Sequence, residues 1–251
     1  MDTILQDHRY ALRMLGRSPG FAFVAIASLA LGIGANATIF SLVRATLFPT
    51  LPYREASRLV DLHETSTELC EGCGVGTSYA TYEEWRAGAR GFENMGASRE
   101  DEFVVSGPDE AVRVPGALVT ATLFPTLGVR PAIGRGFVPD EDRAGAPRAV
   151  LLSHGLWERM FGGDSTVVGR PIRVNGMAAT VAGVMPPRFG YPEFAQMWAP
   201  MGAAGLSAAR DDRSVSVVAR LAPGTSLAQG RAEIGALGRR IAAEHPGAYR
   251  G

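Results

Sequence analysis

Between Arg17 and Arg44 there is no charged residue, and nothing else in the chain limits its fold as strongly. Phe21 to Val43 reads FAFVAIASLALGIGANATIFSLV, apolar apart from Ser28, Asn36, Thr38 and Ser41. As a helix rising 1.5 Å per residue, this stretch covers roughly 34 Å, enough for a bilayer core of about 30 Å. Gly32, Gly34, Ala35 and Ala37 give it a small-residue face that admits a neighbouring helix closely. A transmembrane helix is therefore expected over 19–45. A cleaved signal peptide is the first alternative, with Arg9, Arg13 and Arg17 as its basic region and Ala35-Asn36-Ala37 as the cleavage site. Against it, the apolar run continues through Ile39, Phe40, Leu42 and Val43. A buried core helix is the second, and the length without charge disfavours it. Residues 1–18 suit an amphipathic helix: Ile4, Leu5, Ala11, Leu12 and Leu15 share one face, with Asp7, Arg9 and Arg13 on others. Orientation by charge is a near tie, because Arg9, Arg13 and Arg17 precede the span and Arg44, Arg54 and Arg58 follow it.

After Pro49 and Pro52 the character changes. No later stretch approaches 18 apolar residues, so a single crossing is expected, followed by a soluble domain over 53–251. Of 251 residues, 46% are hydrophobic, which supports a real core. The 25 basic and 25 acidic residues cancel, which removes the electrostatic case for nucleic acid as a partner. Every basic residue is Arg. Without Lys there can be no Walker A loop and no Schiff-base chemistry.

The domain reads as α+β. Strands are expected over 58–63, 102–106, 111–119, 149–152 and 215–221, the last as a half-buried alternating strand. Arg170–Val174 and Ala178–Met185 form a hairpin across Asn175-Gly176. Helices are expected over 78–90, with Tyr82, Trp85, Ala89 and Phe92 inward, and over 121–127, ending at Gly128. Two more cover 154–161, capped by Ser153, and 225–244, with Leu227, Ile234, Leu237 and Ile241 on one face. Residues 131–147 read as a loop.

The search for chemistry finds no candidate catalytic, cofactor-binding or metal-ligating residue. His8, His63, His154 and His245 are scattered, and no Gly-x-Ser-x-Gly elbow is present. Gly32-Ile33-Gly34 echoes a dinucleotide loop, but it sits inside the apolar span with no strand before it. Asp140, Glu141, Asp142 and Arg143 read as a solvated loop, with a divalent-ion site as the weaker alternative. Cys70 and Cys73 form Cys-Glu-Gly-Cys in a loop. A small local disulfide is the favoured reading. A thioredoxin-like site should open a helix, which Gly72 and Gly74 oppose. Half of a zinc site would need a second pair, where only single histidines such as His63 lie nearby.

Many ordered stretches carry a resemblance. They begin with His8-Arg9-Tyr10-Ala11-Leu12-Arg13, Ser18-Pro19-Gly20-Phe21, and Leu29 to Asn36 with Ile39 to Val43. Leu51-Pro52-Tyr53-Arg54, Leu127 to Pro131, Gly134 to Phe137, Leu152 to Trp157 and Phe161 to Asp164 continue it. Val181 to Pro187 and Val218 to Gly224 complete it. The chain resembles the MacB-like, FtsX-related permeases of ABC transport systems, particularly those carrying two such units in one chain. The resemblance implies a cytoplasmic N-terminus, a bacterial inner-membrane location, and residues from about Tyr53 onward outside the cytoplasm. It implies a two-lobed periplasmic core domain, one lobe combining the first strand–helix unit with the last strand and helix, the other the β-rich middle. It implies a separate cytoplasmic ATPase subunit, other permease helices or subunits, and the lipid bilayer as partners. The domain would then work mechanically, without catalytic residues. The family continues into three further membrane helices that this sequence does not contain, and the Cys70/Cys73 pair is not part of its pattern. A membrane-anchored extracytoplasmic interaction module without transport is the rival reading.

Overall fold

A computed structural model describes residues 20, 23–24, 27–34, 36–37, 53–66, 73–106, 111–202 and 209–248. The chain divides into two compact units, Met1–Pro52 and Tyr53–Gly251. In the first, the described residues are helical, with Phe23, Val24, Leu29, Leu31 and Ile33 exposed. The span expected over 19–45 falls in part, and the helix over 1–18 wholly, outside the described residues. Among the described residues no helix is long and apolar enough to cross a membrane.

In the second unit the strands are β1 (Leu59–Leu62), β2 (Glu64–Ser66), β3 (Cys73–Val75), β4 (Phe92–Ser106) and β5 (Ala111–Val119). Then come β6 (Ile133–Gly134), β7 (Ala149–Leu152), β8 (Pro171–Val174), β9 (Met177–Val184), β10 (Met197–Pro200) and β11 (Ser216–Leu221). The helices are α1 (Tyr79–Gly88), α2 (Leu123–Leu127), α3 (His154–Phe161) and α4 (Leu227–Glu244). The fold is mixed α+β.

Nine strands form one sheet in the order β1-β11-β4-β5-β10-β7-β9-β6, with β8 joining β4 to β9. That last pairing closes a ring, β4-β5-β10-β7-β9-β8, so this part of the sheet is a small barrel. β1 and β11 extend it from the first half of β4, antiparallel throughout. The two groups of elements expected as lobes are thus joined by one shared strand. β4 pairs with β11 through residues 92–98 and with β5 through residues 98–106.

Side-chain alternation explains why one sheet has two cores. Leu118, Val150, Leu152, Val181, Met197, Val217 and Ala219 belong to one buried cluster. Their neighbours Ala117, Val119, Leu151, Ala182, Trp198 and Val218 belong to the other. Successive residues of a strand face opposite ways, so the clusters lie on the two faces. Tyr82 and Trp85 of α1, Leu156 of α3 and Ile241 of α4 cover the first face. Leu123, Phe124 and Leu127 of α2, with Phe137 and Phe189, cover the second.

Local signals produce several of these elements at the expected places. Ser78 and Ser153 accept from the backbone N–H of Thr81 and Leu156, capping α1 and α3. Asn175 and Gly176 both take positive φ, 51° and 77°, as the tight hairpin between β8 and β9 requires. Four expectations need correction. Residues 131–147, expected as a loop, contribute β6, which pairs with β9. β4 begins at Phe92, ten residues before the strand expected at 102. β11 is buried on both faces rather than half-buried. Leu227 at the start of α4 is 59% exposed, while Gly230 and Ile241 turn inward.

Candidate functional site

The feature that stands out is the junction where the chain enters the domain. Tyr53 and Arg54 lead into a short turn at Ala56–Arg58. Glu55 begins that turn in the left-handed region, φ 45°, which a non-glycine residue keeps only when its surroundings hold it. Its carbonyl is held twice, by the Arg58 N–H at 2.9 Å and by Arg220 Nη1 at 3.2 Å. Arg220 comes from β11, is 1% exposed, and donates Nε to the Thr126 carbonyl of α2 at 2.9 Å. One buried guanidinium therefore ties the entry turn, the last strand and α2 together.

Arg58 does the same from the other side. Its Nε and Nη2 donate to the Leu221 carbonyl, at 2.9 and 2.6 Å. Its two Nη groups pair with the carboxylates of Glu55 and Glu93. Arg54 Nη2 reaches the second oxygen of Glu93 at 3.1 Å. The Arg58 guanidinium holds the Glu93 carboxyl below the usual carboxylate range. Burial first, then the nearby Arg54 and Arg58 charges, pull Arg220 downward. Gly128 ends α2 at φ 73°, and a Cβ there would meet the Arg54 Cβ at 2.7 Å, so a side chain would crowd this cluster.

An aromatic line runs from the same junction into the barrel wall. Tyr53 meets Phe189 at 6.5 Å between centroids, Phe189 meets Phe124 at 5.9 Å, and Phe124 meets Trp198 of β10 edge-on at 6.0 Å. Trp198 is fully buried and donates Nε1 to the Tyr191 carbonyl at 2.9 Å. The entering segment is thus held by polar contacts of Arg54 and Arg58 to β4 and β11, and Tyr53 is linked to β10 through Phe189.

The chemistry available here is holding, not bond-making. The junction offers ionised arginines and a low-lying carboxylate, with no nucleophile beside a base. Two further ion pairs serve the fold. Glu64 of β2 is buried against Arg213 Nε at 3.2 Å, and burial pushes its carboxyl up. Arg210 pairs with Glu84.

Half of the acidic run departs from the solvated loop expected of it: Asp140 and Arg143 are exposed, whereas Glu141 and Asp142 are engaged by the fold. Asp142 accepts from the N–H of Gly202 at 2.7 Å and of Ala121 at 3.1 Å, and burial raises its pKa. Glu141 is held by Arg135 at 2.6 and 2.9 Å and lies below the usual range. Asp142 thus pins the loop to the ends of β5 and β10, and Glu141 braces the loop internally.

Among the described residues no group of His, Cys, Asp and Glu could hold a metal ion. Of the sequence-derived candidates, Cys73 opens β3, opposite Ser66 of β2, and Cys70 lies outside the described residues. His63 packs its ring against Gly74. His154 lies 3.3 Å from Glu158, and His245 lies 3.9 Å from Glu84. Glu93, Thr126 and Arg220 escaped the sequence reading. An arginine inside an otherwise apolar strand, Val217 to Leu221, was the signal that could have found the last.

The chain belongs to the family described as the MacB-like periplasmic core domain, whose model matches residues 22–237. That family is the extracytoplasmic domain of ABC-transporter permeases, which in general work with ABC ATPase partners. Solved structures share the fold. The extracellular domain of the noncanonic ABC-type transporter YknZ from Gram-positive bacteria has 17% identity and a TM-score of 0.54, covering 75% of this chain and 95% of that one. The periplasmic region of MacB from Actinobacillus actinomycetemcomitans has 10% identity and a TM-score of 0.55, covering 76% and 85%. A domain of a permease protein from Porphyromonas gingivalis has 18% identity and a TM-score of 0.53, covering 75% and 83%. A search of curated proteins gave no match.

Proposed function

We propose that this chain is the N-terminal part of an ABC-type permease of the bacterial inner membrane. A cytoplasmic helix over 1–18 and a membrane helix over 19–45 carry motion from a separate cytoplasmic ATPase into the extracytoplasmic domain over 53–251. Other permease helices or subunits complete the assembly. The two groups of elements that share β4 act as its two lobes. The observation that carries this reading is the Arg58–Arg220 junction, which links the entering chain to β4, β11 and α2 at its first turn. A flexible linker would dissipate displacement, whereas this attachment passes it on. The domain itself catalyses nothing.

Affinity capture of the full chain from its native membrane, with mass spectrometry of what comes with it, tests the reading. An ABC ATPase subunit should be recovered. With that complex, ATP should alter amide exchange in β11, and Arg58→Ala should abolish the change while keeping the ATPase bound. Recovery of the membrane-inserted chain with no ATPase would replace this reading with that of an anchored interaction module. We also propose that Cys70 and Cys73 are bridged outside the cytoplasm; titration of thiols before and after reduction checks it.

A further inference from the structure

The barrel has an unfilled mouth. A cleft of about 270 Å³ is lined by residues from all six strands of the ring, among them Phe103 of β4, Leu118 of β5 and Val174 of β8. Ala179 of β9 and Ala199 of β10 leave the space that larger side chains would fill. Phe103, Leu118, Val150, Val174 and Ala179 are buried, so the floor is apolar. Strand alternation makes the rim informative. Asp101 has the parity of Phe103 and Val105, which face the interior, and Arg148 has the parity of Val150 and Leu152. Two opposite charges thus stand at inward-facing positions of the mouth, where the pattern calls for apolar residues. Among the described residues Arg148 donates no side-chain bond, and Asp101 accepts only from the adjacent Glu102 N–H at 2.8 Å. Both line the cleft.

We propose that this mouth binds a small zwitterion with an apolar body, of which a free apolar amino acid is the simplest form. The apolar side chain enters the barrel over Phe103 and Leu118. The carboxylate pairs with Arg148, whose planar fork suits it, and the ammonium pairs with Asp101. Mouths of β-barrels are a recurrent place for such sites, and the volume lies near the lower end of small-molecule pockets. The proposal does not depend on the transport reading.

Isothermal titration of the full chain in lipid nanodiscs tests it, with L-leucine, L-phenylalanine, glycine and N-acetyl-phenylalanine amide as probes. Leucine and phenylalanine should bind saturably, and glycine and the capped amide should not. Arg148→Gln and Asp101→Asn, both exposed positions, should each weaken binding about tenfold. Absence of leucine and phenylalanine binding, or binding unchanged by both substitutions, would overturn the proposal. So would glycine binding as tightly as leucine, which removes the barrel from the site. Capped amide binding as tightly as the free amino acid would also overturn it, and would point to a peptide segment instead.

Discussion

The two halves that share β4 are built on different physics. The barrel half closes on itself, and its interior is a run of alternating apolar residues from six strands. The half formed by β1, β11 and the start of β4 is open, with α1 and α4 on one face and a charged junction at the chain entrance. Closure removes edges and lets burial alone define the barrel. The open half must also fix an incoming chain, and burial has no direction with which to do that. Hydrogen bonds have direction. Arg58 and Arg220 grip three carbonyls and two carboxylates there, on β11, α2, the entry turn and β4.

The comparison breaks first in the barrel wall. Trp198 is fully buried between Phe124 and Phe189 and bonds to the Tyr191 carbonyl. Trp198→Ala should cost about 4 kcal/mol, from lost burial and the cavity left behind. Urea unfolding at neutral pH measures it. A loss under about 1 kcal/mol would mean that the aromatic line does not support the wall.

Next comes the junction. Arg220→Ala leaves the Thr126 carbonyl without its Arg220 donor, reduces the Glu55 carbonyl to the Arg58 N–H alone, removes a buried side chain, and should cost about 3 kcal/mol. Arg220→Met restores volume but not the bonds, so it should recover only a part. Equal stability of the Met variant and the wild type would show that the junction is held by packing, and the contrast with the barrel would vanish.

How much of this was legible in the sequence follows the same division. Elements with signals inside a short window were readable. Ser153 and Gly162 bracket α3, and Asn175-Gly176 fixes the β8–β9 hairpin. Elements defined by distant partners were not. Phe92 to Asp101 shows no clean alternation, yet β11 and β5 make it a central strand. β10 is four residues ending in Pro200, and its existence depends on β5 and β7. At the junction, Arg54 and Arg58 could be counted as charges flanking the apolar segment. Their partner Glu93 and the buried Arg220 could not be assigned, because the acceptors for Arg220 are carbonyls 94 and 165 residues away. Period-2 patterning places a side chain on a face but does not say what covers that face.

pH sharpens the contrast between an arginine-paired carboxylate and one held by backbone N–H groups within one loop. Arg135 holds the Glu141 pKa below its ordinary 4.5, so this contact stabilises the fold above that value. The contribution fades as pH falls through the lowered pKa. Asp142 has the opposite sign. Burial raises its pKa above the ordinary 3.8, so its contribution is fully present below that value and is lost as pH rises through the raised one. As pH falls from neutral, the advantage of the wild type over Glu141→Gln should therefore shrink, while its advantage over Asp142→Asn should grow. Urea midpoints at neutral and acid pH for the three proteins decide this. Parallel curves for the two variants would refute the difference between the paired and the buried carboxylate.

The smallest effect is expected on the outer rim of the barrel, where a visible ion pair should matter least. Arg113 Nη1 lies 3.0 Å from Glu102 Oε2 across β4 and β5, with side chains 71% and 62% exposed. In that setting water screens the attraction, and holding two long side chains in register costs entropy. Glu102→Gln should change stability by no more than about 0.5 kcal/mol, and raising the salt concentration should erase even that. A double-mutant cycle with Arg113→Gln isolates the pair. A coupling above about 1 kcal/mol would mean that the barrel, too, relies on directed polar contacts, and that the junction at Arg58 and Arg220 differs from it only in degree.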